Sequence, residues 1–267
     1  QKDYISGQNE VLSVENKLNM PVEVKTAFEL ARDPELKAGG ESYIPSNQLY
    51  INIDKKDLLA SGIYDTAMIA SAEDKLNINL SNKSRLTKSE LMVIEMLNEN
   101  KWKRPVYFAV TVGDDYYLGM QDYFRLTGMA YQVTPFSTKG NGAGIDTEAM
   151  YDNMMNKFRY GNVSDPNVYL DENTLRMCRT HRMMFSQLVN ALILEGKKDK
   201  AAKALDKCMK ELPGTTVRHD YTSALLAEFY YQLNTPAKGN EIMEFVAKDC
   251  VENLTWYFKL NKVQRNS

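Results

Sequence analysis

The spacing of apolar residues divides this chain into two halves with different periods. Gln48-Leu49-Tyr50-Ile51-Asn52-Ile53 and Lys75-Leu76-Asn77-Ile78-Asn79-Leu80 recur with period two, so each reads as a strand with one buried face. Pro105-Val106-Tyr107-Phe108-Ala109-Val110-Thr111-Val112 is nearly continuous and predicts a central strand buried on both faces. Met129–Val133 reads as a further strand and Gly119–Arg125 as a short helix. Helical spacing runs from Pro21 to Arg32, with Val22, Ala27, Phe28 and Ala31 on one side and Gly39-Gly40 ending the unit. Thr87 and Glu90 form a capping box before Leu91, Ile94 and Leu97. Thr147–Tyr160 reads as a helix whose Met150, Met154 and Phe158 make an apolar stripe. From Asp171, a predicted N-cap, the period becomes purely helical: Glu172–Glu195, a stop at Gly196, then about Asp199 to Leu212 before Pro213.

The helical half carries a repeat. Phe185, Leu188, Leu192, Gly196, Ala201, Leu205, Cys208 and Pro213 fall at tetratricopeptide spacing, where a small residue lets the second helix approach the first. The pattern returns 38 residues later in Leu226, Tyr230, Asn234, Gly239, Met243 and Val246. Leu254–Leu260, with Trp256, Tyr257 and Phe258, reads as a third helix capping the stack. Two ordinary antiparallel hairpins without repeat ancestry would give similar spacing. The expected fold is therefore α/β over residues 1–165, a small mixed sheet with helices, followed by an all-α tetratricopeptide-like helical-hairpin region over 166–267. Carrying the concave face over by spacing places Met183, Ser186, Asn190 and Ile193 on the first repeat and Tyr221, Glu228 and Tyr231 on the second. Two repeats are fewer than the three or so that stack independently. They are expected to lean on the Thr147–Tyr160 helix, burying Met183 and Ile193 and leaving Asn190, Glu228 and Tyr231 as an open rim for a protein or peptide partner.

Composition narrows the classes. The chain has 267 residues, 43% hydrophobic and 25% charged, with a formal net charge of −2, so no basic excess points to nucleic acid. No run approaches the roughly 20 apolar residues of a bilayer span. The chain starts at Gln1 without an initiating Met, which reads as a processed protein or an excised fragment. Cys178, Cys208 and Cys250 are an odd count without a CxxC, and read as small buried hydrophobes rather than a disulfide framework. His181 and His219, the only two histidines, lack further ligands at zinc spacing and read as surface residues, so no metal site and no cofactor is expected.

Candidate chemistry is sparse. No GxSxG, HExxH or Cys–His pattern occurs, and no catalytic residue is assigned. The glycine-containing loop 137–146 lacks the order of a phosphate cradle. Asp114-Asp115 reads as a turn before Tyr116-Tyr117. The most pointed local feature is Asn100-Lys101-Trp102-Lys103-Arg104-Pro105. Trp102 beside Arg104 is suited to stacking on a sugar, and equally suited to a helix C-terminus with the indole tucked into the core.

Several segments together resemble a known family. They are Trp102-Lys103-Arg104-Pro105-Val106-Tyr107-Phe108-Ala109, Tyr117-Leu118-Gly119-Met120 with Tyr123, Gly128-Met129-Ala130-Tyr131 with Pro135, Met154-Met155-Asn156-Lys157-Phe158-Arg159-Tyr160-Gly161, and Tyr169-Leu170-Asp171-Glu172-Asn173 with Arg176-Met177. The resemblance, from about Pro21 to Tyr257, is to the C-terminal periplasmic domain of a Bacteroidetes multi-pass membrane-protein family. The membrane part of that family is similar to protein O-mannosyltransferase-like glycosyltransferases. Asp65-Thr66-Ala67 also resembles the short acceptor motif of Bacteroidetes O-glycosylation. The resemblance implies a periplasmic domain tethered to the inner membrane at its N-terminal side, with the transferase's acidic residues in membrane-proximal loops outside this chain. Three functions compete on this basis. The first is an accessory interaction module of a membrane glycosyltransferase. The second is a glycan-binding module using Trp102, Tyr116 and Tyr117. The third, an independent hydrolase, rests only on unassigned carboxylates.

Overall fold

The computed structural model describes residues 11–33, 35–37 and 42–260, with Tyr221 described through its backbone alone. The expected stop at Gly39-Gly40 lies outside the described residues. Contacts divide the chain into two units, one running to Leu126 with Ala130–Gly144, the other comprising Thr127–Met129 and the chain from Ile145 onward. The Thr147–Tyr160 segment, grouped by the sequence with the α/β half, thus belongs to the helical unit.

The first unit contains β1 (Val11–Val14), β2 (Val22–Glu23), α1 (Val24–Arg32), β3 (Tyr43–Ile44), β4 (Gln48–Asn52), α2 (Lys55–Ser61), α3 (Thr66–Ala70), β5 (Lys75–Asn79), β6 (Arg85–Thr87), α4 (Lys88–Asn100), β7 (Tyr107–Ala109), β8 (Phe124–Leu126) and β9 (Ala130–Val133). The alternation in β4 and β5 is used as written. The two pair antiparallel with Leu49 opposite Ile78 and Ile51 opposite Leu76, all four buried. β2 adds to β4 in parallel, and β1 joins β3 in parallel and β6 antiparallel. Helix α1 buries Val24, Ala27, Phe28 and Ala31. Helix α4 starts on the predicted capping box: Thr87 Oγ1 accepts the Glu90 N–H and Glu90 Oε2 accepts the Thr87 N–H at 2.8 Å. Glu90 is buried, and Lys83 Nζ meets its other oxygen at 2.6 Å.

Two expectations fail in the following stretch. The run from Pro105 to Val112 is not a central strand. Only Tyr107–Ala109 pairs, antiparallel to β9, with Tyr107 and Ala109 exposed and Phe108 alone buried. Pro105 can donate no ladder hydrogen bond, and the chain turns where Val112 N–H returns to Ala109 O, so the remaining apolar residues line a turn. Gly119–Arg125 is not a helix. Gly119 has φ +70, Gln121–Tyr123 makes one tight turn, and Phe124–Leu126 is strand, antiparallel to β9. These segments converge on an aromatic cluster of Phe108, Tyr117, Phe124 and Tyr131, with ring centroids 5.1–5.9 Å apart.

The second unit contains α5 (Thr147–Asp152), a π-helical turn at Asn153–Lys157, α6 (Glu172–Leu194), α7 (Lys198–Glu211), α8 (Ala224–Gln232) and α9 (Pro236–Lys259). Asp171 caps α6 by accepting the Thr174 N–H at 2.7 Å, and Gly196 follows its end at φ +75. Helices α6 and α7 pair as one hairpin and α8 and α9 as another. Leu188, Leu192, Ala201, Leu205 and Cys208 are fully buried in the first, and Leu226, Tyr230 and Val246 are buried in the second. Helix α5 lies against α6, with Met150 and Met154 buried. Thr147 Oγ1 donates to the Glu195 carboxylate at 2.9 Å, and Glu148 receives Lys197 at 2.7 Å and Lys200 at 2.6 Å.

Four readings of this half are corrected. Leu254–Leu260 is no separate capping helix. Nothing in the sequence breaks α9 before Lys259, and Leu254, Trp256, Tyr257 and Phe258 on its last turns are exposed. Met183 is 53% exposed, because Met184, Phe185 and Leu188 take the inward face and turn Met183 away; Ile193 is half-buried. Cys250 is exposed, unlike Cys178 and Cys208. The histidines are not surface residues. His219 is buried beside Phe245, and His181 packs partly buried against Tyr160 and Phe158.

Candidate functional site

Each unit has a cleft whose chemistry suits recognition. In the α/β unit a cleft of about 750 Å³ opens beside Trp102. Ile51 and Ile53 of the β4 segment and Leu97 of α4 give it an apolar floor, and Asn52, Asp54, Asp57, Asn98 and Glu99 give it polar walls. Glu23 reaches Asn52 Nδ2 at 2.9 Å, and Asp54 caps α2 by accepting the Lys56 N–H at 2.8 Å. Lys25, Lys55 and Lys101 supply cations.

The backbone that delivers Trp102 is strained. Lys101 and Trp102 follow one another at φ +46 and +59, left-handed conformations that cost non-glycine residues roughly 1 kcal/mol or more each. A clip holds them there: Asn100 Nδ2 donates to Arg104 O at 2.7 Å, and Asn100 Oδ1 accepts the Arg104 N–H at 3.3 Å. The indole is thereby half-buried, packed against the core along one side and lining the cleft along the other. Arg104 is exposed and meets Trp102 around a smaller neighbouring hollow. Tyr117 is no stacking platform. It is buried and donates its hydroxyl to Val112 O at 2.9 Å, with its pKa raised by burial and by the neighbouring Tyr131 and Asp114. Tyr116 is exposed, with Lys83 Nζ 5.6 Å from its ring centre. The glycine loop is no anion cradle either. The Asp122 carboxylate already occupies it, accepting the N–H groups of Gly140 at 2.7 Å and Gly142 at 2.9 Å.

In the helical unit a groove of about 530 Å³ runs between α6 and α8. Arg176, Arg179, Thr180, Arg182, Met183 and Ser186 line it from α6, and Asp220, Thr222, Ser223, Leu225 and Leu226 from the opposite side. Arg182 is buried and spends its guanidinium on the carbonyl oxygens of Leu212, Val217 and Arg218, tying the end of α7 and the following loop to α6. Burial depresses its pKa, and Arg179 adds to the effect. Arg179 Nε stands 3.6 Å from Asp220. Ser223 is 1% exposed, and its hydroxyl has no hydrogen-bond partner among the described residues.

The helical unit has a further hollow of about 450 Å³, with Asp206, His219, Tyr230 and Lys238 in its lining. Tyr230 donates to Asp206 at 3.0 Å, and Lys238 pairs with the same oxygen at 2.6 Å. His219 Nδ1 has no partner among the described residues; desolvation, helped by the Arg182 charge, lowers its pKa to about 4. The Cys208 thiol is pushed up to about 12 by burial and is not a nucleophile at neutral pH. Among the described residues no group of His, Cys, Asp or Glu is arranged to hold a metal ion. Among them, too, no helix is long and apolar enough to cross a membrane.

The residues singled out from sequence thus part company. Met183 and Ser186 of the expected inner face do line the groove. Asn190, Glu228 and Tyr231 are exposed, as expected of a rim, but do not line it. Glu228 accepts from Gln232 at 3.1 Å, and Tyr231 donates to Asn240 at 3.0 Å while its ring covers Gly239. The side chain of Tyr221 lies outside the described residues. Trp102 and Arg104 meet in the other unit. Sequence reasoning missed Arg176, Arg179 and Ser223. The signal was present: arginines at 176, 179 and 182 recur every third residue and therefore share one face of a helix.

Residues 1–154 fit the family model described as TMEM260-associated domain 2. No curated protein and no solved structure matches the chain.

Proposed function

The chain belongs to the TMEM260-associated domain 2 family, and on that premise we propose that it is an accessory interaction domain of a membrane-bound glycosyltransferase-like protein. In this reading it lies in the periplasm of a Bacteroidetes cell, tethered to the inner membrane through its N-terminal side. It docks a protein or peptide partner on its tetratricopeptide-like hairpins, uses no cofactor and leaves sugar transfer to the membrane part. The family match supports the association with a membrane glycosyltransferase-like protein. The observation that carries the interaction role is the groove between α6 and α8, where exposed Met183 and Leu225 stand beside cations on a rigid helical frame. The test uses the parent protein in its own cell envelope, with a photo-crosslinking residue at Ser186, which lines the groove. Capture of a discrete protein partner, reduced by Asn190→Ala with Tyr231→Ala, is the expected result. Unchanged capture in that double variant removes the rim from the account, and turnover of a glycoside or a lipid-linked sugar by the purified chain removes the accessory role.

A second reading, a glycan-binding module, is favoured by one observation: strained backbone holds the Trp102 indole at the edge of an open polar cleft. Trp102 and Trp256 are the only two tryptophans. In a Trp256→Phe background, fluorescence therefore reports on Trp102 alone. A saturable change with mannose-type oligosaccharides supports this reading, and an unchanged spectrum at millimolar sugar removes it.

A further inference from the structure

We propose that the groove between α6 and α8 is built for an acidic, extended peptide that places carboxylates on Arg176 and Arg179 and an apolar side chain between Met183 and Leu225. This rests on the interaction reading above and adds the chemistry of the partner.

Three observations carry it. The first is charge. Three arginines of one helix face line the groove against the single carboxylate of Asp220. Arg182 makes its hydrogen bonds to carbonyl oxygens only, and the one carboxylate of the groove, Asp220, acts on its charge through space. Asp220 reaches Arg179 at 3.6 Å, beyond hydrogen-bond length, and also accepts the Thr222 N–H at 3.0 Å. The groove is therefore electropositive, in a chain whose formal net charge is −2. Planar guanidinium groups suit the two oxygens of a carboxylate.

The second observation is Ser223. A buried hydroxyl without a partner costs about 1–3 kcal/mol, a cost a ligand removes by supplying a carbonyl or N–H. Ser223 Oγ is such a group, buried in a residue that borders this groove. An extended peptide offers carbonyl and N–H groups along its length.

The third observation is shape and apolarity. Met183 is 53% and Leu225 52% exposed, on opposite walls, and the volume of about 530 Å³ lies within the range of pre-formed ligand clefts. A simple anion leaves both side chains in water; a peptide with apolar residues between its carboxylates covers them.

The experiment measures fluorescence anisotropy on the full chain with three labelled, C-terminally amidated peptides that alternate Leu with Asp, Asn or Lys. The Asp–Leu peptide is expected to bind at least tenfold more tightly than the Asn–Leu peptide, and to weaken with added salt. Arg176→Gln with Arg179→Gln is expected to remove that preference while Tm stays within a few degrees of the parent. Both arginines are exposed, so this variant keeps the fold; Ser223→Ala serves as a second variant, expected to weaken the Asp–Leu and Asn–Leu peptides alike. Equal binding of the Asp–Leu and Asn–Leu peptides, lost in Leu225→Asp, overturns the acidic preference and leaves the interaction reading intact. No binding of any peptide overturns both. Arginine-dependent binding of phosphatidylglycerol-rich vesicles without peptide binding overturns the proposal in favour of a lipid surface.

Discussion

His219 and Gly119 show how single residues constrain the two units. The His219 imidazole titrates near 6.5 when unfolded and near 4 in the fold, because burial and the Arg182 charge oppose its cationic form. Between those values the unfolded chain binds a proton that the folded chain does not. Stability therefore falls as pH drops from 6.5 toward 4, by at most about 1.4 kcal/mol per pH unit from this group. His181, also lowered by burial, acts in the same direction. Urea unfolding across this range should give a shallower acid slope for His219→Phe than for the parent; parallel slopes would show that His219 does not titrate this way. Gly119 combines φ +70 with a position where a Cβ would stand 2.6 Å from Asn79 O. Gly119→Ala should cost about 2 kcal/mol or more. Gly62→Ala, at φ +65 with open space around it, should cost about 1 kcal/mol. Equal losses from the two would remove the close approach from the argument.

At the scale of elements, the sequence is most readable where a local rule and burial agree. Strands β4 and β5, the Thr87 cap and the Asp171 cap all stand where alternation and capping chemistry put them. The Thr87 cap makes a direct test: Thr87→Ala should lower stability by about 1 kcal/mol, since it removes the acceptor for the Glu90 N–H. A loss under a few tenths would mean that Glu90, held by Lys83 at 2.6 Å, keeps the helix start without it. Legibility fails where an apolar run has no period. Pro105–Val112 looked like a buried strand because its residues serve an aromatic cluster and a turn, and both consume apolar side chains without ladder pairing. The end of α9 fails differently: its aromatic residues signalled packing, yet the fold leaves them exposed. The candidate site was half legible. Trp102 announced itself by its neighbours, whereas the left-handed backbone that presents it follows from the Asn100 clip, which no spacing rule records. Ser223 carries no sequence signal, because its lack of a partner is a property of the packed hairpins.

At the scale of the molecule, the chain joins an α/β unit containing the strained Trp102 cleft to a helical unit containing the arginine-lined groove. The family match lies over residues 1–154 and so covers mostly the first unit. The interaction role rests on the second, where the hairpins turn polar and apolar groups outward together. The two sites divide the two readings of function between them, which makes the readings separable by position. The most direct measurement is photo-crosslinking from Met183 and, separately, from Lys101 in the parent protein within its own envelope, with adducts identified by mass spectrometry. The account predicts a protein adduct from Met183 that disappears in Arg176→Gln with Arg179→Gln. An adduct from Lys101 with none from Met183 would contradict it.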